Sequence, residues 1–449
     1  MAEINANTHT RMETGKVVGE AARNILPGGV LIEYNKDPQV MADQTRKLID
    51  NGCTIIYEAT FIYKDLIAMC DILMVTRNGV VIFEVKSATE VKDEYIDDVA
   101  FQEYVISKCR FTVDQANIIY INTYYVRNGK LEYDKLFTIA DITEKIDERR
   151  NIININEDLG VINAILKYDM PKTHIGKQCK KPNECDYCKA CWEHIPDYSV
   201  FNLYRVSDKA YSYYEDGIIT LNDIHESGIP LKGIQKLQVD TLLSGEPVIN
   251  KVAIKKFIDN LKYPLYYLDF ETFQEAIPSH DGIRPYEQVP FQYSLHIQHE
   301  ANGEQVHKEF LGKEGTNPKR ALAEQICQDI GLAGTVLAYN MSFEGTVLKK
   351  LAEEYPDLAD HLLTIASNLD DLLIPFRETW YYTKEMKGSF SIKSVLPALY
   401  PPEAMAAFPR MATMTAEEVD ETRRNLLKYC GLDTYAMVKV LDKLREVAE

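Results

Sequence analysis

Apolar and polar residues alternate along this chain in two separate blocks of strand-like and helix-like segments. In the first block, the runs "IIYEATFIY", "AMCDILMVT" and "VVIFEVKS" predict three consecutive strands within residues 54–86. Asn78-Gly79, between the last two runs, predicts a tight hairpin. Residues 92–108 follow with helical spacing, and "ANIIYINTYYV" predicts another strand. This block is therefore predicted to form a sheet flanked by helices.

The second block begins near residue 263 and again mixes the two periodicities. Its predicted strands are 265–271, 291–298, 305–311 and the run "TVLAYN", with a helix at 318–331. Helices are predicted from there to the end, the last one starting near Thr415. The whole pattern predicts an α/β protein divided into residues 1–195, a connector of short mixed pieces at 196–255, and residues 256–449.

Composition narrows the class of protein. The 449 residues are too many for one ordinary core, and 46% hydrophobic with 26% charged residues is typical of soluble globular proteins. The net charge of −18 argues against a passive, generally basic nucleic-acid coat, but it leaves room for a metal-dependent enzyme with a locally basic groove. No apolar run approaches a membrane span and no signal peptide precedes the first domain, so we expect a cytoplasmic protein without a membrane partner.

The first candidate site lies on the predicted hairpin. Glu84 and Lys86 are two residues apart on a strand and therefore share a face. If Asn78-Gly79 forms the centre of the turn, Asp71 falls opposite Lys86, and directly paired residues project to the same face. If a similar turn precedes the second strand, Glu58 falls opposite Asp71. These acids and the lysine are therefore expected to converge.

Converging acids suit phosphodiester hydrolysis. Carboxylates hold Mg²⁺ or Mn²⁺, and the ion activates a water molecule and neutralises charge on the phosphate. Lys86 would orient the water or stabilise the transition state. The alternative is a row of cross-strand salt bridges on a solvated face. The metal site is favoured because the acids interrupt very apolar strands, where unpaired charge is costly.

The same segments resemble a known nuclease core. "CDIL" followed by "FEVKS" resembles the PD-(D/E)XK fold in its RecB-like branch, and the resemblance covers about residues 11–195. It implies Asp71 and Glu84 as metal ligands and Lys86 as the catalytic lysine. "DDVAFQEYVIS" resembles the helix that follows in that branch, which carries a glutamine and a tyrosine; Gln102 and Tyr104 match them by type, with a shorter spacing.

Four cysteines crowd into "CKKPNECDYCKAC": Cys179, Cys185, Cys188 and Cys191. This favours a metal site over a disulfide framework. Zinc sites more often use two separated CxxC pairs, whereas a consecutive C-x2-C-x2-C run is more typical of iron–sulfur ligation. The RecB-like resemblance also implies a [4Fe–4S] cluster after the core, with Zn²⁺ as the alternative. Either all four cysteines ligate or Cys188 is a bystander, and four unrelated free cysteines are the third possibility.

A second group of acids occupies the second block. Asp269 and Glu271 in "YYLDFETF" share a strand face. Glu344 follows the run "TVLAYN" where a strand leads into a helix. Tyr429 and Asp433 are four apart in an amphipathic helix and share a face. Acids from three elements can meet at one point, as a two-metal site requires, and Tyr429 would position the attacking water.

These segments resemble the DnaQ-like exonucleases of the ribonuclease H fold. "DFE", "YNMSFE" and "YCGLD" are similar to their three motifs in the tyrosine (DEDDy) variant, and the resemblance covers about residues 262–449. It implies a mixed-sheet domain with Tyr429 assisting four metal ligands: Asp269, Glu271, Glu344 and Asp433. Glu344 departs from the pattern because the second motif normally ends in aspartate.

The complete arrangement resembles an uncharacterised bacterial family. That family joins a RecB-like nuclease, a cysteine cluster and a DnaQ-like domain, and its C-terminal part is a domain of unknown function. The resemblance implies a Mg²⁺- or Mn²⁺-dependent nuclease that hydrolyses DNA, on single strands or from ends, at two centres. The alternatives are a nucleic-acid-binding scaffold with degenerate sites and an RNA-processing exonuclease. No protein partner is indicated.

Overall fold

Two compact units make up the part of the chain that the structure describes. The structure, a computed structural model, covers residues 6–150, 154–168, 173–181, 183–399 and 418–449, without the side chains of 6–10 and 418–431. Unit 1 comprises Met1–Thr173 and Gln274–Glu287, and unit 2 comprises His174–Phe273 and Gln288–Glu449. Each unit combines helices with a mixed sheet, which confirms the predicted α/β class.

Unit 1 is built on a six-stranded sheet in which the strands are neighbours in chain order. Its strands are β1 (Val30–Leu31), β2 (Ile55–Tyr63), β3 (Leu66–Val75), β4 (Val80–Lys86), β5 (Val113–Ile121) and β6 (Phe137–Asp141). The pairs β2–β3, β3–β4 and β5–β6 are antiparallel, whereas β1–β2 and β4–β5 are parallel. The predicted strand "IIYEATFIY" matches β2 at both ends.

Unit 1 contains six helices in its described part, of which the first five pack on this sheet and the last has no buried residue. The six helices are α1 (Ala6–Ala22), α2 (Pro38–Asp50), α3 (Asp93–Lys108), α4 (Tyr133–Leu136), α5 (Thr143–Arg150) and α6 (Ile155–Lys167). Helix α3 buries Ile96, Val99 and Val105 in one cluster with Ile82 and Ile118 of the sheet. This packing holds α3 beside the end of β4, where the candidate acids lie.

The register of the β3–β4 hairpin differs from the prediction. Val75 pairs with Val80, so the connection contains four residues, and Thr76 donates its N–H to the Gly79 carbonyl at 2.9 Å. Asp71 is therefore level with Glu84, and the prediction that it lies opposite Lys86 was wrong by two residues. Because side chains alternate with a period of two, this shift leaves every side chain on its predicted face.

Unit 2 contains a five-stranded sheet in the order β10-β9-β8-β11-β12 and a separate two-stranded sheet. The strands are β7 (Val248–Ile249), β8 (Leu265–Phe273), β9 (Val289–Gln298), β10 (Gln305–Leu311), β11 (Thr335–Ala338), β12 (Leu369–Asp371) and β13 (Tyr381–Tyr382). Strands β8, β9 and β10 are antiparallel neighbours, whereas β11 is parallel to β8 and to β12. The prediction of helices alone after "TVLAYN" was wrong, since β12 and β13 lie there.

The described part of unit 2 contains eleven α-helices, and those that follow residue 250 cover both faces of the five-stranded sheet. The eleven helices are α7 (Cys188–Cys191), α8 (Lys209–Glu215), α9 (Leu221–Glu226), α10 (Gly233–Ser244), α11 (Lys251–Asn260), α12 (Lys319–Asp329), α13 (Ser342–Glu354), α14 (Ala359–Ser367), α15 (Ile374–Arg377), α16 (Ile392–Leu399) and α17 (Glu418–Ala448). The predicted start of the last helix near Thr415 lies outside the described residues. In neither unit does the described chain contain a helix with the length and apolar character needed to span a membrane.

The alternation along β8 decides which helix faces the candidate acids. Leu268 and Phe270 pack with residues of α12, α13 and α14 on one side. Leu265 and Tyr267 pack with Met437 of α17 on the other side. Odd-numbered side chains of β8 therefore face α17.

Candidate metal centres

Three carboxylates of unit 2 meet above the sheet. Asp269 and Glu271 extend from β8, and Asp433 extends from α17. Each offers an oxygen within 4.8 Å of the oxygens of the other two. In the described part of the chain, no other three residues of metal-binding type are grouped this closely. We call this group the carboxylate triad.

The fold explains why the triad forms. Asp269 and Glu271 continue the odd-numbered row of β8 beyond Tyr267, toward the end of the strand where the side chains are only half-buried. Helix α17 lies along that row because Met437 and Leu441 are buried against it. The apolar stripe of α17 thus brings Asp433 over the two strand acids.

The crowded carboxylates of the triad repel one another when no cation is bound between them. Burial raises the pKa of Glu271, the Asp433 carboxylate raises it further, and only Lys393 opposes both effects. Burial also raises the pKa of Asp433, again against Lys393. Crowded carboxylates with raised pKa values gain most from a bound cation, and carboxylate oxygens are the ligands preferred by Mg²⁺ and Mn²⁺.

Glu344 stands beside the triad rather than within it. It lies in the first turn of α13, only 3% exposed, and its Oε2 has no hydrogen-bond partner among the described residues. Burial, together with the charges of Asp269 and Asp371, raises the pKa of Glu344 to about 8. A buried carboxylate oxygen without a partner is costly. Its proximity to Asp269 makes Glu344 a suitable additional ligand for an ion held there.

The remaining predicted residue of this centre is Tyr429. It belongs to α17, but its side chain is outside the described residues. At the start of the adjoining helix α16, the hydroxyl of Ser391, the residue before the helix, lies 3.0 Å from that of Ser394, an arrangement typical of a helix N-terminus. Lys393 follows in the first turn and is the cation whose charge lowers the pKa values of Glu271 and Asp433.

The first centre, in unit 1, brings together Asp71, Glu84 and Lys86. The Lys86 ammonium donates to Glu84 Oε1 at 2.8 Å. The Val85 N–H donates to Asp71 Oδ2 at 2.6 Å. Burial raises the pKa of Asp71 well above its usual range, and the Glu84 charge raises it further. Burial also raises the pKa of Glu84, although Lys86 opposes it. The structure thus brings Asp71, Glu84 and Lys86 together, but no three described carboxylates of this centre offer oxygens within 4.8 Å of one another.

Glu58 lies on β2, level with Asp71 as predicted. Tyr63 pairs with Leu66, as the predicted turn requires, and this register places Glu58 level with Asp71. However, the backbone of Glu58 is left-handed, with φ at 57°, and its carboxylate accepts a hydrogen bond from Arg23 Nη2 at 2.8 Å. Glu58 is therefore engaged by an arginine in this structure.

Two residues of α3 complete the first centre. Gln102 donates to Glu84 Oε2 at 2.8 Å. Asp98 accepts from Lys86 Nζ at 2.7 Å and was not predicted. Asp98 lies four residues before Gln102, hence on the same helix face, and this spacing was the one available signal.

The cysteine cluster occupies a short, closely folded segment of unit 2. Cys179 and Cys188 are buried beside Trp192, whereas Cys185 is exposed and Cys191 is half-buried. The Cys185 N–H donates to the Cys179 carbonyl at 3.0 Å, and the Cys188 N–H donates to the Cys185 carbonyl at 2.9 Å. Burial raises the pKa of Cys188, and the nearby Lys180 opposes this. No three of these sulfurs, all of them described, lie within 4.8 Å of one another.

Comparison with known proteins adds one finding. Residues 266–391 match a domain of unknown function (DUF2779). This segment contains Asp269, Glu271 and Glu344, and it ends before α17. The match confirms the predicted domain of unknown function in the C-terminal part. No curated protein matches the chain.

Proposed function

We propose that this protein is a metal-dependent nuclease that hydrolyses phosphodiester bonds in DNA, on single strands or from ends. The observation that carries the proposal is the carboxylate triad, in which acids from β8 and α17 come within 4.8 Å of one another. Maintaining three acids this close without a cation is unfavourable, so the arrangement is best explained by metal binding.

The proposed roles in unit 2 follow from the geometry. Asp269, Glu271 and Asp433 would hold divalent ions, with Glu344 supplying a further oxygen. Such ions, when bound, activate water and neutralise charge on the phosphate. Lys393 is the cation whose charge acts on the triad, and it would attract the phosphate backbone of the substrate. The mixed sheet of unit 2 agrees with the DnaQ-like, ribonuclease-H-type domain that the sequence resembles.

A second hydrolytic centre is proposed in unit 1. Asp71 and Glu84 would supply metal ligands, and Glu58 would add a third if Arg23 released it. Lys86 is held between Glu84 and Asp98 and would stabilise negative charge on the phosphate. These roles follow the PD-(D/E)XK resemblance and the observed hydrogen bonds of Glu84.

A cleavage assay with the full chain tests the proposal. A 5′-labelled single-stranded DNA oligonucleotide is incubated with purified protein in Mn²⁺, in Mg²⁺ and in EDTA. We expect cleavage with either metal and none in EDTA. Complete inactivity on DNA and on a matched RNA in both metals would contradict the proposal and favour a nucleic-acid-binding protein with degenerate sites. Cleavage of the RNA alone would reassign the substrate.

We also propose that the four cysteines bind a [4Fe–4S] cluster that stabilises their segment. Protein purified without oxygen is expected to be brown, with broad visible absorption, and the Cys179→Ser/Cys188→Ser variant should lose this colour. Cys327→Ser, a substitution outside the cluster, should retain it. A colourless protein with about one bound zinc ion would indicate the zinc alternative. A colourless protein free of both metals would contradict a metal site.

A further inference from the structure

A buried hydroxyl lies next to the third acid of the carboxylate triad. Thr434 directly follows Asp433 in α17 and is 0% exposed. Its Oγ1 lies 2.7 Å from Ser294 Oγ and 2.9 Å from His296 Nδ1, both on β9. Ser294 Oγ in turn lies 2.9 Å from His307 Nε2 on β10. Four side chains therefore form one continuous series of hydrogen bonds between the helix and the sheet.

This series connects the two elements that carry the triad. Ser294 is the direct cross-strand partner of Asp269 in the β8–β9 ladder. Thr434 adjoins Asp433 along the helix. The hydrogen bond between the Ser294 and Thr434 hydroxyls thus joins a residue level with Asp269 to a residue adjacent to Asp433. We call this group the hydroxyl–histidine series: Thr434, Ser294, His296 and His307.

The chemistry of the series favours a single arrangement. Burial and the neighbouring His307 together lower the pKa of His296 to about 4, so His296 is a neutral imidazole near pH 7. The rings of the two histidines stack with their centroids 4.5 Å apart. A neutral imidazole offers one donor and one acceptor, and each hydroxyl can donate once and accept, so the protons can be arranged to satisfy all three bonds. Loss of one hydroxyl would leave buried polar groups without partners.

Apolar packing alone would not fix the position of Asp433 closely. Side chains such as Met437 and Leu441 bury α17 against the sheet, but apolar contacts are non-directional and tolerate small shifts. Hydrogen bonds demand particular distances and angles. The series therefore supplies the directional contacts between α17 and β9 at the point where the acids must converge.

We propose that Thr434 is a positioning residue that, through Ser294 and His296, fixes α17 so that Asp433 meets Asp269 and Glu271 in a shared metal site. This inference rests on the proposed function, because it assigns Thr434 to the same metal centre. Thr434 does not touch the substrate in this scheme, and its effect is transmitted through Asp433.

Direct metal binding tests this role without nucleic acid. Mn²⁺ binding to the full chain is measured by electron paramagnetic resonance of free Mn²⁺, and binding that Asp433→Asn abolishes is assigned to the triad. Valine has nearly the same shape as threonine, and Thr434→Val is expected to weaken this binding about 10- to 100-fold, the loss typical when a group that orients a metal ligand is removed. Thr434→Ser retains the hydroxyl and should restore the Mn²⁺ affinity.

Thr241→Val is the matched control, since Thr241 is helical, 3% exposed and its hydroxyl has no partner among the described residues.

The outcomes separate this inference from the proposed function. Wild-type Mn²⁺ affinity in Thr434→Val would overturn the positioning role, whether or not its melting temperature falls. Weakened Mn²⁺ binding in Thr434→Val that Thr434→Ser restores would support the positioning role, even if no variant cleaves DNA. A lack of DNA cleavage would count only against the proposed nuclease activity. If DNA is cleaved, excess Mn²⁺ should restore the rate of Thr434→Val. Should Thr434→Val fail to fold, Ser294→Ala removes the same hydrogen bond from the strand and is expected to show the same loss of affinity.

Discussion

Replacing Asp269 with asparagine is expected to reduce metal-dependent trimming of a 5′-labelled DNA strand by about 1,000-fold or more, equivalent to about 4 kcal/mol of transition-state stabilisation. Asp269 is a member of the carboxylate triad and also one of two acids whose charges raise the pKa of Glu344. The substitution would remove one negatively charged ligand from any metal ion bound there. Activity of the first centre should persist, because its residues lie in unit 1.

The same substitution should leave the metal-free protein equally stable or more stable. Burial and the Asp269 charge both raise the pKa of Glu344, so neutralising Asp269 removes a repulsion. Thermal denaturation in EDTA measures this effect. Asp259→Asn is the control, since Asp259 is exposed and paired only with Lys255 among the contacts described here. A variant at position 269 that trims as fast as the wild type would remove Asp269 from the centre.

Replacing Lys86 with methionine is expected to destabilise unit 1 by about 3–5 kcal/mol and to abolish activity at the first centre. The Lys86 ammonium lies within 2.8 Å of Glu84 and within 2.7 Å of Asp98. Burial alone would lower the pKa of Lys86, but the charges of Glu84 and Asp98 and the hydrogen bonds to both together raise it above its usual value. Methionine would leave the buried Glu84 carboxylate with Gln102 as its one remaining described hydrogen-bond donor.

Urea denaturation followed by circular dichroism measures this loss of stability. Lys135→Met is the matched control, because Lys135 in the same unit is 61% exposed and its pair with Glu132 is solvated. Such exposed pairs contribute little to stability, so the free energy of unfolding of the control variant should change by less than about 0.5 kcal/mol. Equal urea midpoints for the two variants would show that the Lys86 charge does not offset the buried acids. Asp71, Glu84 and Lys86 would then be an ordinary salt-bridged surface group.

Alternation of apolar and polar residues carried most of the information about the sheets. Both ends of strand β2 were predicted correctly, and β10 was predicted as 305–311, as observed. The hairpin between β3 and β4 was predicted with the wrong register, yet Asp71 and Glu84 still share a face, because the error was two residues and the side-chain period is two. Face assignments were therefore more robust than pairings.

Short elements and tertiary contacts were beyond the reach of the pattern. Strand β12 has three residues, too few to display a period, and it was predicted as helical. The hydrogen bond of the Glu58 carboxylate comes from Arg23, a residue 35 positions away. Asp98 became part of the first centre only because α3 docks beside β4.

The hydroxyl–histidine series illustrates the same limit. Thr434 adjoins a predicted metal ligand, but nothing in the local sequence shows that its hydroxyl would face Ser294. That contact needs the cross-strand pairing of Asp269 with Ser294 together with the packing of α17. Convergence of acids was predictable from motif order, whereas the contacts that hold them together required the fold.

Anomalous X-ray diffraction from crystals of the full chain grown with saturating MnCl₂ would locate bound metal without reference to activity. We predict a manganese peak within coordination distance of Asp269, Glu271 and Asp433, with Glu344 beside it. Well-ordered density for these three carboxylates with no manganese between them, or with the acids directed away from one another, would contradict a hydrolytic metal centre in unit 2.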